Sequence, residues 1–170
     1  MEIVLVRVDD RLIHGQVVEG WLKTIGINHI VVISDAVAAD KMQQILLSMA
    51  VPRNINVTNF SVEEGASKLK GEGFGKERLL LLLSNPTDVL RLLKLGLKLT
   101  SVNVGGMHFA QGKRQILRNV SVDEQDVKAF REIAAMGVPL EGRVLPSDEM
   151  VNVIDVINRE LKKEDAPGEQ

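Results

Sequence analysis

MEIVLVRVDDRLIHGQVVEGWLKTI, residues 1–25, is the stretch on which the fold turns. Residues 3–8 form a short apolar run rich in branched side chains, and charge gathers around its end in Arg7, Asp9, Asp10 and Arg11. The segment that follows places Val17, Val18, Trp21, Leu22 and Ile25 at mostly helical intervals. The chain therefore reads as strand, charged loop, helix. His14 then stands at a helix N-terminus, where unpaired N–H groups and the positive end of the helix dipole favour an anion. A loop outside the carboxyl end of a strand is also where open α/β sheets place ligands.

Working outward, similar apolar runs recur at residues 30–33, 55–60, 79–83 and 102–104, and they read as buried parallel strands. Between them lie segments of helical length with start signals: Ser61 with Glu64 as a capping box, and Asn85 before Pro86 as Ncap and N1. Strands alternating with helices predict an α/β sheet. After Gly105-Gly106 the rhythm changes, and residues 112–120 predict an antiparallel hairpin. Ser121 with Glu124 predicts another capping box, ahead of a helix with Val127, Phe130, Ala134 and Gly137 on one face. Residues 138–145 read as a further strand broken by Gly142, and Ser147 as the cap of a last helix carrying Met150, Ile154 and Ile157.

The whole chain has 170 residues, which suits a single domain. We expect that domain over residues 1–163, with the charged tail 164–170, which contains Pro167-Gly168, fraying in solvent. Lys+Arg 21 against Asp+Glu 23 gives a net charge of -2 and supplies no global positive field, so nucleic-acid binding is not expected. With no Cys, a disulfide framework, a thiolate zinc site and sulfur redox chemistry are excluded. The longest aliphatic run, 79–83, falls far short of the roughly 20 residues that cross a bilayer, and the N-terminus meets charge too soon for a secretory signal. A soluble, cytoplasmic protein is the expectation.

Other features read blandly. Three scattered histidines without HxxxH or HxH spacing predict no metal site. His29 is expected at the surface and His108 as a bystander, while Trp21 is expected in the core or facing a partner. Gly71, Gly73 and Gly75 precede a strand and lack a following GK[ST], so they read as a flexible connection and not a nucleotide loop.

The chemistry of residues 7–16 is more specific. Imidazole is a nucleophile with a reference pKa of about 6.5, able to accept a phosphoryl group without a separate activating base. Such a transfer needs alignment and compensation of charge on the phosphoryl oxygens, which an Arg fork supplies better than a Lys point charge. Arg11, three residues before His14, is the candidate. Asp9 or Asp10 would orient the ring or hold Arg7 or Arg11 ready, and the sequence leaves open which. The competing local reading is a solvated turn with a surface histidine.

VRVDDRLIHGQV (6–17) strongly resembles the active-site segment of the IIB components of the mannose/fructose/sorbose family of the sugar phosphotransferase system. The resemblance continues through VVISDAVAADKM (31–42), LLLSNPTDVLRLL (81–93), SVNVGGMHFAQGK (101–113) and VSVDEQDVKAF (120–130), which is nearly the whole chain. It implies a mostly parallel, doubly wound sheet with helices on both faces and a hairpin, and a phosphorylated His14 reacting through Nδ1. It implies no cofactor. The donor is a separate IIA domain, the acceptor a sugar held by IIC/IID membrane components that bring the protein to the inner face of the membrane. A homodimer is left open. Ser34, Asp35, Gly105 and Gly106 match positions bordering the same crevice, and with Arg7, Asp9, Asp10 and Gly15 they are expected around the phosphate. For Gly105 and Gly106 the alternative is a mere need for positive φ. Arg7 and Arg11, with Lys113 or Arg114 if the hairpin folds toward the crevice, are expected to meet an acidic donor surface. Leu83-Ser84 departs from the aromatic and polar pair usual before Asn-Pro, which concerns packing before chemistry.

Two rival functions compete with this reading. A two-component receiver would use Asp9-Asp10 for Mg²⁺, but 55–60 does not end in the Asp it needs and no Lys follows Val104. A non-catalytic regulatory module would have lost the reactive pair, yet His14 and Arg11 are both present.

Overall fold

The structure, a computed structural model, describes residues 1–71 and 73–162. The tail 164–170, expected to fray, lies outside the described residues. Five strands, β1 (Glu2–Asp9), β2 (His29–Ile33), β3 (Asn56–Phe60), β4 (Arg78–Leu83) and β5 (Val102–Gly106), are joined in parallel by helical crossovers. After the hairpin β6 (Arg114–Leu117) and β7 (Val120–Val122), β8 (Leu140–Gly142) and β9 (Val151–Asn152) complete a seven-stranded sheet in the order β3-β2-β4-β1-β5-β8-β9. From β1 the chain moves toward β2, and from β5 it moves the opposite way toward β8. The two chain paths part between β1 and β5, so the carboxyl ends of these neighbours flank a crevice where such sheets bind ligands.

The run of leucines in β4 shows why this sheet forms. Leu79, Leu81 and Leu83 pack into one core cluster and Leu80 and Leu82 into another, on the opposite face, and all five are fully buried. A strand covered on both faces has no polar side, and each such side chain contributes about 1.5–3 kcal/mol by leaving water. One face is covered by α4 (Val62–Lys70), α5 (Pro86–Lys94), α6 (Glu124–Ala135) and α7 (Val153–Lys162), and the other by α1 (Leu22–Ile25) and the pair α2 (Asp35–Ala38) and α3 (Lys41–Met49). Among the described residues no helix is long and apolar enough to cross a membrane.

Several local expectations need correction. The first helix begins in the wider π form over Gln16–Trp21, where the Leu22 N–H reaches back five residues to the Val17 carbonyl. Asp123, not Ser121, caps α6, in a reciprocal capping box with Asp126, because Ser121 is taken up in β7 opposite Gln115. Ser147 caps nothing: residues 151–152 first pair with β8 as an edge strand, and the Asn152 side chain then accepts the Asp155 N–H at the start of α7. His29 is buried and not on the surface. Its Nδ1 lies 2.8 Å from Glu77 Oε2 and its Nε2 2.7 Å from Thr58 Oγ1, and Phe74 packs edge-on against the ring.

Candidate active site

Arg7 and Asp9 lie in β1 with side chains fully out of water. Two charges at the end of a central strand are tolerable only if paired and hydrogen-bonded. Arg7 is held on three sides: by Asp9 Oδ2 at 3.0 Å, by Asn103 Oδ1 at 2.5 Å across the strand pair, and by the Arg143 carbonyl at 3.0 Å. Its guanidinium also stands 5.3 Å from the Trp21 ring centroid, and Arg143 stands 5.2 Å from the same ring. The Nε atoms of both arginines are buried without a hydrogen-bond partner among the described residues, and the indole face offsets part of that cost. Trp21 is itself fixed by its Nε1–H, which donates to the Val144 carbonyl at 2.8 Å.

Asp9 is the hub. Its Oδ2 accepts from Arg7 and faces His14 Nε2 at 2.9 Å, while Oδ1 accepts the Arg11 backbone N–H at 3.2 Å and Arg11 Nε at 3.4 Å. Burial pushes its carboxyl pKa up, but the hydrogen bond and charge of His14, the charge of Arg7 and the Arg11 N–H together bring it below the ordinary carboxylate value. Burial likewise lowers the Arg7 pKa, against the opposing pull of Asp9. An ionised carboxylate only accepts, so the hydrogen of a neutral His14 ring belongs on Nε2. Nδ1 is left with its lone pair outward, approached by the Gln16 backbone N–H at 3.4 Å. His14 is 15% exposed against 0% for Asp9, so solvent and partners reach only the ring's outer edge.

The loop between them is built for this. Leu12 adopts φ 58, a left-handed conformation that costs a non-glycine residue about 1 kcal/mol or more. Its buried side chain, packed with Ile13 and Val17, and the Leu12 N–H bond to the Asp9 carbonyl hold it there. Arg11 turns back over the loop, its Nη2 donating to Gln16 Oε1 at 2.8 Å. Gly15 precedes the helix with open space where a Cβ would stand.

Asp10 serves a second histidine. Its carboxylate accepts the His108 backbone N–H at 2.7 Å and lies 2.7 Å from His108 Nδ1, and its own N–H donates to the Gly106 carbonyl. Two successive aspartates thus take separate tasks. Neither Gly105 nor Gly106 has positive φ. What requires them is closeness: a Cβ on Gly105 would fall inside the Arg7 guanidinium, and one on Gly106 would lie 3.1 Å from Asp9 Oδ1. His108, expected as a bystander, lines a cavity of about 610 Å³ together with Arg11, Gln16, Gly106, Arg118 and Asn119.

Other expected residues sit elsewhere. Ser34 caps α2 by accepting the Val37 N–H, and Asp35 accepts the Val62 N–H at 2.9 Å and pairs with Arg91 at 2.7 Å. Both follow β2, which β4 separates from β1. Arg7 is too deeply buried to meet a donor surface, which overturns that expectation. Lys113 pairs with Asp126 at 2.9 Å beside α6. Sequence reasoning missed Asn103, Glu141 and Arg143, which complete the buried network, with Asn103 Nδ2 and Arg143 Nη2 both on Glu141 Oε1. The available signal was a polar residue inside each of two apolar runs: Val6-Arg7-Val8 and Val102-Asn103-Val104 lie side by side, with Arg7 opposite Asn103.

Comparison with known proteins gives a consistent result. The family model described as PTS system sorbose subfamily IIB component matches residues 3–167. The chain is 43% identical over 159 residues to the mannose-specific EIIAB component of Escherichia coli K12, covering 94% of this chain and 49% of that protein, so it spans about half the length of that relative. It is 39% identical over 162 residues to the fructose-specific EIIB component of Bacillus subtilis, covering 95% and 99% respectively. The crystal structure of the IIBSor domain of the Klebsiella pneumoniae sorbose permease superposes with a TM-score of 0.89 at 39% identity, covering 94% of this chain and 98% of that one.

Proposed function

The chain belongs to the sorbose subfamily of phosphotransferase-system IIB components, and on that premise we propose that it is a phosphoryl carrier in which His14 is the covalent acceptor. The observation that carries this reading is the 2.9 Å contact between His14 Nε2 and Asp9, which leaves Nδ1 as the outward nucleophile. A phosphohistidine on a separate IIA domain is the donor. His14 Nδ1 attacks its phosphorus, the donor N–P bond breaks with its electron pair returning to the donor ring, and an Nδ1–P bond forms. Asp9 steadies the positive charge that builds on the ring, and Arg11 meets the phosphoryl oxygens at the mouth of the loop.

In the second half the hydroxyl of a sugar presented by the IIC and IID membrane components attacks phosphorus. The O–P bond forms, the Nδ1–P bond breaks, and the proton released by the hydroxyl returns to solvent through the freed imidazole. The carrier works at the inner face of the membrane, and donor and acceptor use overlapping surfaces around His14, because one phosphoryl group faces one partner at a time. Arg11 stands at that face and Arg7 beneath it. A receiver reading has no support from the geometry, since Asp9 is committed to Arg7, Arg11 and His14.

The test is to incubate the protein with phosphorylated IIA domain and locate the phosphate by mass spectrometry. It should reside on His14, and His14→Ala should remain unlabelled. Phosphate on Asp9, Asp10 or His108, or a labelled His14→Ala, overturns the assignment.

A further inference from the structure

Arg11 does not face a phosphoryl group with its whole fork. Nε–H and one Nη2 hydrogen are given to Asp9 and Gln16, so the guanidinium meets three oxygens carrying nearly two charges with the Nη1–Nη2 edge alone. The same 610 Å³ cavity that Arg11 lines is also lined by a second guanidinium residue, Arg118, on the exposed turn between β6 and β7. Its side chain has no hydrogen bond or ion pair among the described residues. The turn that carries it is anchored: Met107 N–H donates to the Asn119 carbonyl and Ser121 N–H to the Met107 carbonyl, each at 2.9 Å, and the Asn119 side chain donates to the Gly105 carbonyl. Asp148, the only acid on the cavity wall among the described residues, accepts the Leu145 N–H at 2.8 Å.

We propose that Arg118 is a second phosphoryl-binding residue, closing on the group from the hairpin side while Arg11 holds it from the loop side. The inference rests on the carrier reading above. In the transfer, the donor N–P bond breaks as the His14 Nδ1–P bond forms, and the two guanidinium groups share the charge on the oxygens that belong to neither nitrogen. A guanidinium suits this because its planar fork matches two oxygens at once, whereas an ammonium meets one point. The cavity is far larger than a phosphoryl group, which leaves room for the partner's reacting group between the two arginines.

The experiment separates contact with phosphate from contact with a partner by using phosphoramidate, a small N–P donor that needs no protein docking. Arg118→Gln should load His14 from phosphoramidate about 10-fold or more slowly than the wild type, Arg118→Lys should recover part of the rate, and Arg53→Gln, an exposed charge change distant in sequence, should load normally. The second readout is the ³¹P resonance of phospho-His14 after loading through the IIA domain: its titration midpoint should lie higher in Arg118→Gln, since losing a cation disfavours the dianion. Wild-type loading from phosphoramidate by Arg118→Gln, or an unchanged ³¹P midpoint, overturns the proposal, and slowing confined to the protein donor makes Arg118 a docking residue instead. If the wild type takes no phosphate on His14 from phosphorylated IIA, it is the carrier reading that fails.

Discussion

Asp9 and Asp35 are both aspartates at the carboxyl side of parallel strands, both face an arginine, and both have carboxyl pKa values below the ordinary one. Their surroundings part them. Asp9 is fully buried and holds two arginines and His14 in one geometry, whereas Asp35 is 54% exposed and links α2 to the start of α4 and to Arg91 on α5. For Asp35 the Val62 N–H is the leading cause of the lowered value, followed by Arg91, and burial opposes both only weakly. The same residue pair is thus an orienting device where water is excluded and a helix tie where it is not. Low dielectric makes the first pair costly to disturb, and solvent makes the second nearly interchangeable.

The sharpest way to break this contrast is Asp9→Asn. It leaves the Arg7 guanidinium buried without its counter-charge, which should cost about 3–5 kcal/mol in urea denaturation, and it removes the acceptor that sets the His14 tautomer, lowering transfer from phosphorylated IIA about 10³-fold or more. Arg11→Lys keeps the charge but loses the fork. Transfer should fall about 10²-fold with the melting temperature nearly unchanged, because this side chain lies at the rim. Gly105→Ala tests the buried end without removing a charge: its methyl group must displace Arg7, so we expect a loss of about 1–3 kcal/mol, seen by denaturation, together with slower transfer as Asp9 follows.

Asp35→Asn is the smallest change, below about 1 kcal/mol, with normal transfer rates. Its pH dependence carries the sign. A carboxyl with a folded pKa below its unfolded value stabilises the fold fully above about pH 4, and that contribution disappears as pH falls through the folded value. The stability gap between wild type and Asp35→Asn should therefore narrow from pH 5 to pH 3. A gap that widened on acidification, or a transfer defect as large as that of Asp9→Asn, would erase the distinction between the two ends.

What could be read in advance follows the same division. The strands and their parallel order were legible because β4 and its neighbours are buried on both faces, which leaves an unbroken apolar run in the sequence. His14 and Arg11 stood out as candidates because charge gathers directly after an apolar strand, and the structure brings both to Asp9. The separate duties of Asp9 and Asp10 were not: alternation puts Asp9 on the side of Arg7, but the partner of Asp10, His108, lies 98 residues away. His29 was misplaced at the surface because its partners, Glu77 and Thr58, lie 48 and 29 residues away. Ser121 was misread as a cap because strand pairing with β6 outweighs a local capping signal.

Trp21 is the chain's single tryptophan, and there is no tyrosine. Its indole is buried, lies against Arg7 and Arg143, and is tied to the Val144 carbonyl. Ultraviolet excitation of this protein therefore addresses one spot, three contacts from His14: indole to Arg7, Arg7 to Asp9, and Asp9 to the imidazole. Emission from that spot is an intrinsic label for the buried charges, and a change in it on mixing with phosphorylated IIA in stopped flow is the expected optical sign of the proposed transfer.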